Sequence, residues 1–198
     1  MADEPRVMPG GPGGPQDARS GKNDGMQEPH QYARIERERR FLIERFPNAD
    51  VVGLRQITDR YINGTHLRLR EQIDDGGPAI YKLTQKVPAR ARGAQQGFIT
   101  NIYLTEDEFR LLAQLPAKML SKVRHSVPPF GIDIFEGALQ GLRLAEAEFN
   151  SDAEACALIL PDFILHEVTE DDRFTGGQLA CASRTNVEEW LAEYGLMI

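Results

Sequence analysis

The residues with the most chemical potential in this chain are charged side chains spaced two apart. Residues i and i+2 of a strand point the same way. In IERERRFLI, Glu36, Glu38 and Arg40 therefore share one face, opposite Ile35, Phe41 and Ile43. Arg68 and Arg70 oppose Leu67 and Leu69, Lys82 and Lys86 oppose Tyr81 and Leu83, and Lys122 and Arg124 flank Val123. Acidic residues obey the same rule: Glu146 and Glu148 alternate with Ala145, Ala147 and Phe149, Asp133 sits between two isoleucines, and Glu167 sits between His166 and Val168. Basic doublets come from some strands and acidic doublets from others, with few Ser, Thr or Gln fillers between them. An ordinary solvent face is more mixed. If such a sheet closes, its charged face lies wholly outside or wholly inside. Placed inside, it forms a charged tunnel that needs a ligand, because buried charges are costly unless paired or coordinated to a metal.

The elements that must position these groups follow from period-two alternation. Strands are expected over 34–43, 54–61, 66–72, 79–87, 98–104, 121–127, 131–135, 142–149 and 164–169. Three capping boxes, Thr105 with Glu108, Ser151 with Glu154 and Thr185 with Glu188, predict short helices, the second stopped by Pro161 and the third carrying Trp190, Leu191 and Tyr194. Many sequential strands with few helices predict an α+β fold: an antiparallel β-barrel with helices packed outside.

Residues 1–32 read differently. Six glycines and five prolines fall within the first 30 positions with almost no large apolar side chains, so a disordered tail is expected ahead of one domain over 33–198. Its GGPGGP is not a phosphate loop, since no strand precedes it and no GK[ST] follows. The 198 residues carry 23 basic and 30 acidic side chains, a net charge of −7, which argues against nucleic-acid binding. No apolar run is long enough to span a bilayer and no secretory signal opens the chain, so a cytoplasmic protein without membrane association is expected. Cys156 and Cys181 lack metal-ligand spacing and read as free, buried thiols.

The segment from Glu36 to Ile43 resembles the ExExK signature of the CYTH superfamily, the triphosphate tunnel metalloenzymes. In the family's order follow LRLR (Arg68, Arg70), LTQK (Lys86), KVR (Lys122, Arg124), the DIFEG turn from Asp133, AEAEF (Glu146, Glu148) and HEVTEDDRF from His166. The resemblance covers residues 35 to about 180. It implies an eight-stranded antiparallel tunnel and Mg²⁺- or Mn²⁺-dependent removal of the terminal phosphate of tripolyphosphate or of a nucleoside or thiamine triphosphate.

It also implies roles. Arg68, Arg70, Lys86, Lys122 and Arg124 would bind phosphates, Glu36, Glu38, Glu146 and Glu148 would hold metal with Glu167 as a further carboxylate, and Arg40 and Asp133 would serve the reaction itself. A monomer or homodimer is expected. Two departures stand out: Arg40 replaces the signature's lysine with a permanently charged group, and Asn101 and Tyr103 stand where many members carry acidic residues. A non-catalytic polyphosphate- or nucleotide-binding domain and a class four adenylyl cyclase are the alternatives. Arg90 and Arg92 form a basic hairpin, and Arg173 is a further candidate phosphate contact.

Overall fold

Alternating charged and apolar residues leave each strand one face to bury, and in a computed structural model describing residues 31–89 and 95–198 they do so by closing a barrel. The strands are β1 (Arg34–Leu42), β2 (Leu54–Ile62), β3 (Leu67–Asp74), β4 (Ala79–Pro88), β5 (Gln95–Leu104), β6 (Ala117–Val127), β7 (Phe130–Phe135), β8 (Arg143–Glu148) and a two-residue β9 (His166–Glu167). The order β5-β4-β3-β2-β6-β7-β8-β1 closes when β1 pairs back onto β5, and every pairing is antiparallel. β1 shares one edge between two partners: residues 34–37 pair with β5 and residues 41–42 with β9. The register slips between Glu36 and Arg37, opposite Gly97 and Gln95. Glycine is required at 97, because its φ is +139° and a Cβ there would lie 2.1 Å from the Val87 carbonyl oxygen.

The charged faces point inward, as one closed parity requires. Asp59, Asp133, Arg40 and Lys122 are 1%, 0%, 3% and 7% exposed. On the outside, Phe41, Ile43, Ile132, Ala145 and Ala147 form one apolar layer. Phe46, Phe149, Leu158, Phe163 and Ile164 cover it, so this wall is sheltered largely by loop side chains rather than by helices. Helix α1 (Glu106–Leu112) buries none of its residues and meets the barrel through Phe109, whose ring lies 4.6 Å from that of Tyr81.

Beyond Arg40, Glu146, Lys122 and Asp133 the inward positions turn apolar: Leu42, Leu144, Leu120 and Phe135. These join Phe174, Leu179, Val187 and Leu191 in a single core, built with the short α3 (Gly176–Leu179) and α4 (Arg184–Ala192). The lumen therefore has an apolar floor. Its opposite end is open, where Glu148 and Tyr103 are exposed.

Local expectations hold in part. The Thr105–Glu108 capping box forms in full. Ser151 caps α2 (Asp152–Ala157), but the Glu154 carboxylate accepts from Asn150 N–H and the helix ends before Pro161, at Leu158, which is extended. The last helix starts earlier than Thr185: Ser183 is its cap, reciprocated by Asn186, while Glu188 pairs with Arg184 one turn away. Cys156 and Cys181 are free but exposed, not buried, because α2 and the turn after α3 lie on the protein's surface. Most of the proposed tail, and Arg90 and Arg92, lie outside the described residues.

Candidate active site

Strand parity and register bring eleven of the twelve singled-out residues onto the inner face. β1 and β8 are neighbours and pair Glu38 with Glu148 and Arg40 with Glu146, so the carboxylates Glu36, Glu38, Glu146 and Glu148 line adjoining strands. The cations Arg68, Arg70, Lys86, Lys122 and Arg124 stand on β3, β4 and β6. A carboxylate wall thus faces a basic wall, and the two meet through ion pairs. Lys86 Nζ donates to Glu36 Oε1 at 2.7 Å. Lys122 donates to Asp133. Arg124 donates to Asp133 through Nε and Nη2 at 2.7 Å each, and its Nη2 also reaches Glu146. That reach depends on Gly131, the inward neighbour of Asp133: a Cβ there would lie 3.0 Å from Arg124 Cδ.

Charge in this lumen is unevenly compensated. Burial raises the Glu38 carboxyl, as do Glu146 and Glu36, and although Lys86 and Arg40 oppose them it rests at about 7. Burial would raise Glu146 too, but Lys122, Arg124, Arg40 and Lys86 hold it well below the usual carboxylate range. Arg40 Nε and Arg68 Nε are buried donors without a hydrogen-bond acceptor. Two orphaned N–H groups suit an anion, and a buried carboxylate that also feels the charges of Glu146 and Glu36 suits a hard divalent cation with oxygen ligands. Among the described residues no three carboxylate, imidazole or thiol groups already gather as a metal cluster.

Several expectations are corrected. Glu167 is not in the lumen. β9 pairs it with Phe41, an outward residue of β1, and its carboxylate receives Arg39 Nε and Nη2 at 2.9 and 2.6 Å. Arg173 is likewise outside, paired with Asp171 and Glu193. Arg40 faces inward but is turned toward the floor: its Nη2 donates to the Thr169 carbonyl and to Gln96 Oε1, both at 2.9 Å, and its Nη1 lies 3.5 Å from the Phe174 carbonyl. Asn101 faces inward and accepts from Thr84 Oγ1 at 2.7 Å.

The strand pattern overlooked Asp59. It lies on β2 opposite Arg70 and binds that guanidinium through both oxygens at 2.7 Å, with Arg68 Nε 3.6 Å away. Burial raises its carboxyl, but Arg68 and Arg70 outweigh that and hold it at about 2. Its signal was the spacing from Ile57 to Tyr61, masked by polar residues on both faces of LRQITDRYI.

The chain is 33% identical over 151 residues to the inorganic triphosphatase of Nitrosomonas europaea, covering 72% of this chain and 95% of that protein. Crystal structures of the hypothetical protein NE1496 and of the inorganic triphosphatase NE1496 each align at a TM-score of 0.50 and 27% identity, covering 75% and 74% of this chain and 99% and 95% of theirs. No family model matches the sequence.

Proposed function

The chain belongs to the CYTH superfamily of triphosphate tunnel metalloenzymes, and on that premise we propose that it hydrolyses the terminal phosphate of a triphosphate inside its barrel, with inorganic tripolyphosphate as the leading substrate. The observation that carries this reading is the separation of charge: a carboxylate wall on β1 and β8 faces a basic wall on β3, β4 and β6. The named activity of the Nitrosomonas europaea relative supports it.

Arg68, Arg70, Lys86, Lys122 and Arg124 bind the phosphate oxygens and hold the chain in one register, with the guanidinium forks supplying directed, charge-assisted hydrogen bonds. Lys86 and Arg124 exchange their carboxylate partners for phosphate, which frees Glu36 and Glu146. Together with Glu38 and Glu148 these would hold Mg²⁺ or Mn²⁺, which supplies screening between carboxylate and phosphate and polarises the terminal phosphoryl group. Asp133 acts as a positioning residue, since both its oxygens are occupied by Lys122 and Arg124. Arg40 orders the floor through Thr169, Phe174 and Gln96 and offers its orphaned Nε to the lumen.

No helix among the described residues is long and apolar enough to cross a membrane, and we place the activity in the cytoplasm. The test is a panel of tripolyphosphate, ATP and thiamine triphosphate with and without Mg²⁺ or Mn²⁺. Metal-dependent release of orthophosphate is expected, fastest from tripolyphosphate. Cyclic AMP from ATP, or tight binding without turnover, would overturn the assignment.

A further inference from the structure

Arg68 is held differently from the other cations of the basic wall. Arg70, Lys86, Lys122 and Arg124 all donate to carboxylates, whereas the hydrogen-bond acceptors of Arg68 among the described residues are hydroxyls. The Asp59 carboxylate lies 3.6 Å from its Nε but is already taken through both oxygens by Arg70. Tyr61, Arg68, Thr84 and Asn101 are direct cross-strand neighbours on β2, β3, β4 and β5, and they form a ladder of hydrogen bonds. Arg68 Nη2 donates to Thr84 Oγ1 at 3.3 Å, and the Thr84 hydroxyl gives its proton to Asn101 Oδ1 at 2.7 Å, which leaves its lone pairs for the guanidinium. Thr84 is 0% exposed, so solvent does not reach this hydroxyl. On its other side the guanidinium donates to the Tyr61 hydroxyl. That phenol is fixed in place, since a Cβ on Gly176 would lie 2.0 Å from its oxygen. Burial, then Asp59, raise it above its ordinary value, so it stays neutral.

The chemistry of these acceptors matters. A carboxylate partner offsets the charge of its cation and has to be displaced before phosphate binds, whereas a neutral hydroxyl orients the guanidinium plane and leaves the charge to the ligand. Nε remains a buried donor without an acceptor. We propose, resting on the triphosphatase reading, that Thr84 and Tyr61 are positioning residues: their hydroxyls preset Arg68 as the phosphate anchor that binds without first surrendering a hydrogen-bonded carboxylate, and Asn101 fixes the Thr84 hydroxyl from behind. Both hydroxyls then act on affinity, through Arg68, rather than on the bond-breaking step.

The experiment contrasts two substitutions in the full chain. Thr84→Val keeps the shape of the side chain and removes the hydroxyl, while Thr84→Ser keeps the hydroxyl and removes the methyl group. With tripolyphosphate and Mg²⁺, Thr84→Val should raise KM about tenfold, the scale of one charge-assisted contact, with kcat within about threefold of wild type. Thr84→Ser should bring KM back to within about threefold of wild type. Tyr61→Phe should raise KM in the same way, and provides a second variant should Thr84→Val melt early. A packing role gives the reverse order, with Thr84→Val near wild type and Thr84→Ser the poorer. That order, or a loss confined to kcat, would overturn the positioning role. If wild type releases no orthophosphate, the triphosphatase reading fails on its own, and equilibrium binding of tripolyphosphate then decides the role. Weaker binding by Thr84→Val with recovery in Thr84→Ser upholds it; equal affinities, or no binding by wild type, overturn it.

Discussion

Arg70 lays two arms of its guanidinium against the Asp59 carboxylate, Nε to Oδ1 and Nη2 to Oδ2, at 2.7 Å each. The acid is 1% exposed and also neighbours Arg68. It is the fixed counter-charge of the basic wall.

Asp59→Asn keeps the shape and removes that charge, leaving two lumen arginines undercompensated. A loss of about 3 kcal/mol is expected, on the scale of broken buried ion pairs. Tripolyphosphate should recover much of it by restoring negative charge, so thermal melts of the variant with and without this ligand check the prediction. The wild-type pair also sets an acid limit. The folded carboxyl lies at about 2 against an ordinary 3.8, so its stabilisation is complete above pH 3.8 and is lost as pH falls through about 2. The contribution is on the order of 2–3 kcal/mol, read as the difference between wild-type and variant acid melts.

Glu38 runs the other way. Its carboxyl is raised from 4.5 to about 7, so the folded state holds the proton more tightly than the unfolded chain. The cost to stability is absent below pH 4.5, grows across that interval and is complete above pH 7, amounting to about 3 kcal/mol. Glu38→Gln should therefore raise the melting temperature of the metal-free protein at pH 8 and hardly change it at pH 4.5. Mg²⁺ should stabilise wild type at pH 8 more than the variant. Parallel melting curves across this range would remove Glu38 from the metal set.

Arg40→Lys restores the residue that closes the family signature. A compact ammonium cannot reproduce the planar contacts to Thr169, Phe174 and Gln96, so the variant should be less stable by about 1–3 kcal/mol and melt at a lower temperature. Its kcat on tripolyphosphate should not rise. A faster enzyme with unchanged KM would instead assign proton transfer to this position.

Glu167→Ala tests the residue that parity alone misplaces. Its Arg39 pair is partly exposed, so a cost of only about 0–1 kcal/mol is expected. The concentration of Mg²⁺ giving half-maximal activity should be unchanged. A clear rise would bring Glu167 back to the metal site.

These residues also show what could be read in the sequence. Side-chain parity is local, so Glu36, Glu38, Arg68, Arg70, Lys86, Lys122 and Arg124 were legible from their own strands. Register is not local. Glu167 alternates with its neighbours as Glu146 does, but β9 joins β1 opposite Phe41 and carries it outward. Arg40 has the expected face but unexpected company, because the carbonyls that hold it arrive from residues 169 and 174. Asp59 was hidden because Gln56, Thr58 and Arg60 make the other face of β2 equally polar, and only its pairing with Arg70 reveals it.

The apolar floor formed by Leu42, Leu120, Phe135 and Leu144 with Phe174 and Leu179 makes the barrel a blind alley. On the proposed reading a linear triphosphate would enter headfirst by a free terminus, and cyclic trimetaphosphate, which has no terminus, would be refused. Orthophosphate cut from the leading end would then leave only after the remaining pyrophosphate had backed out.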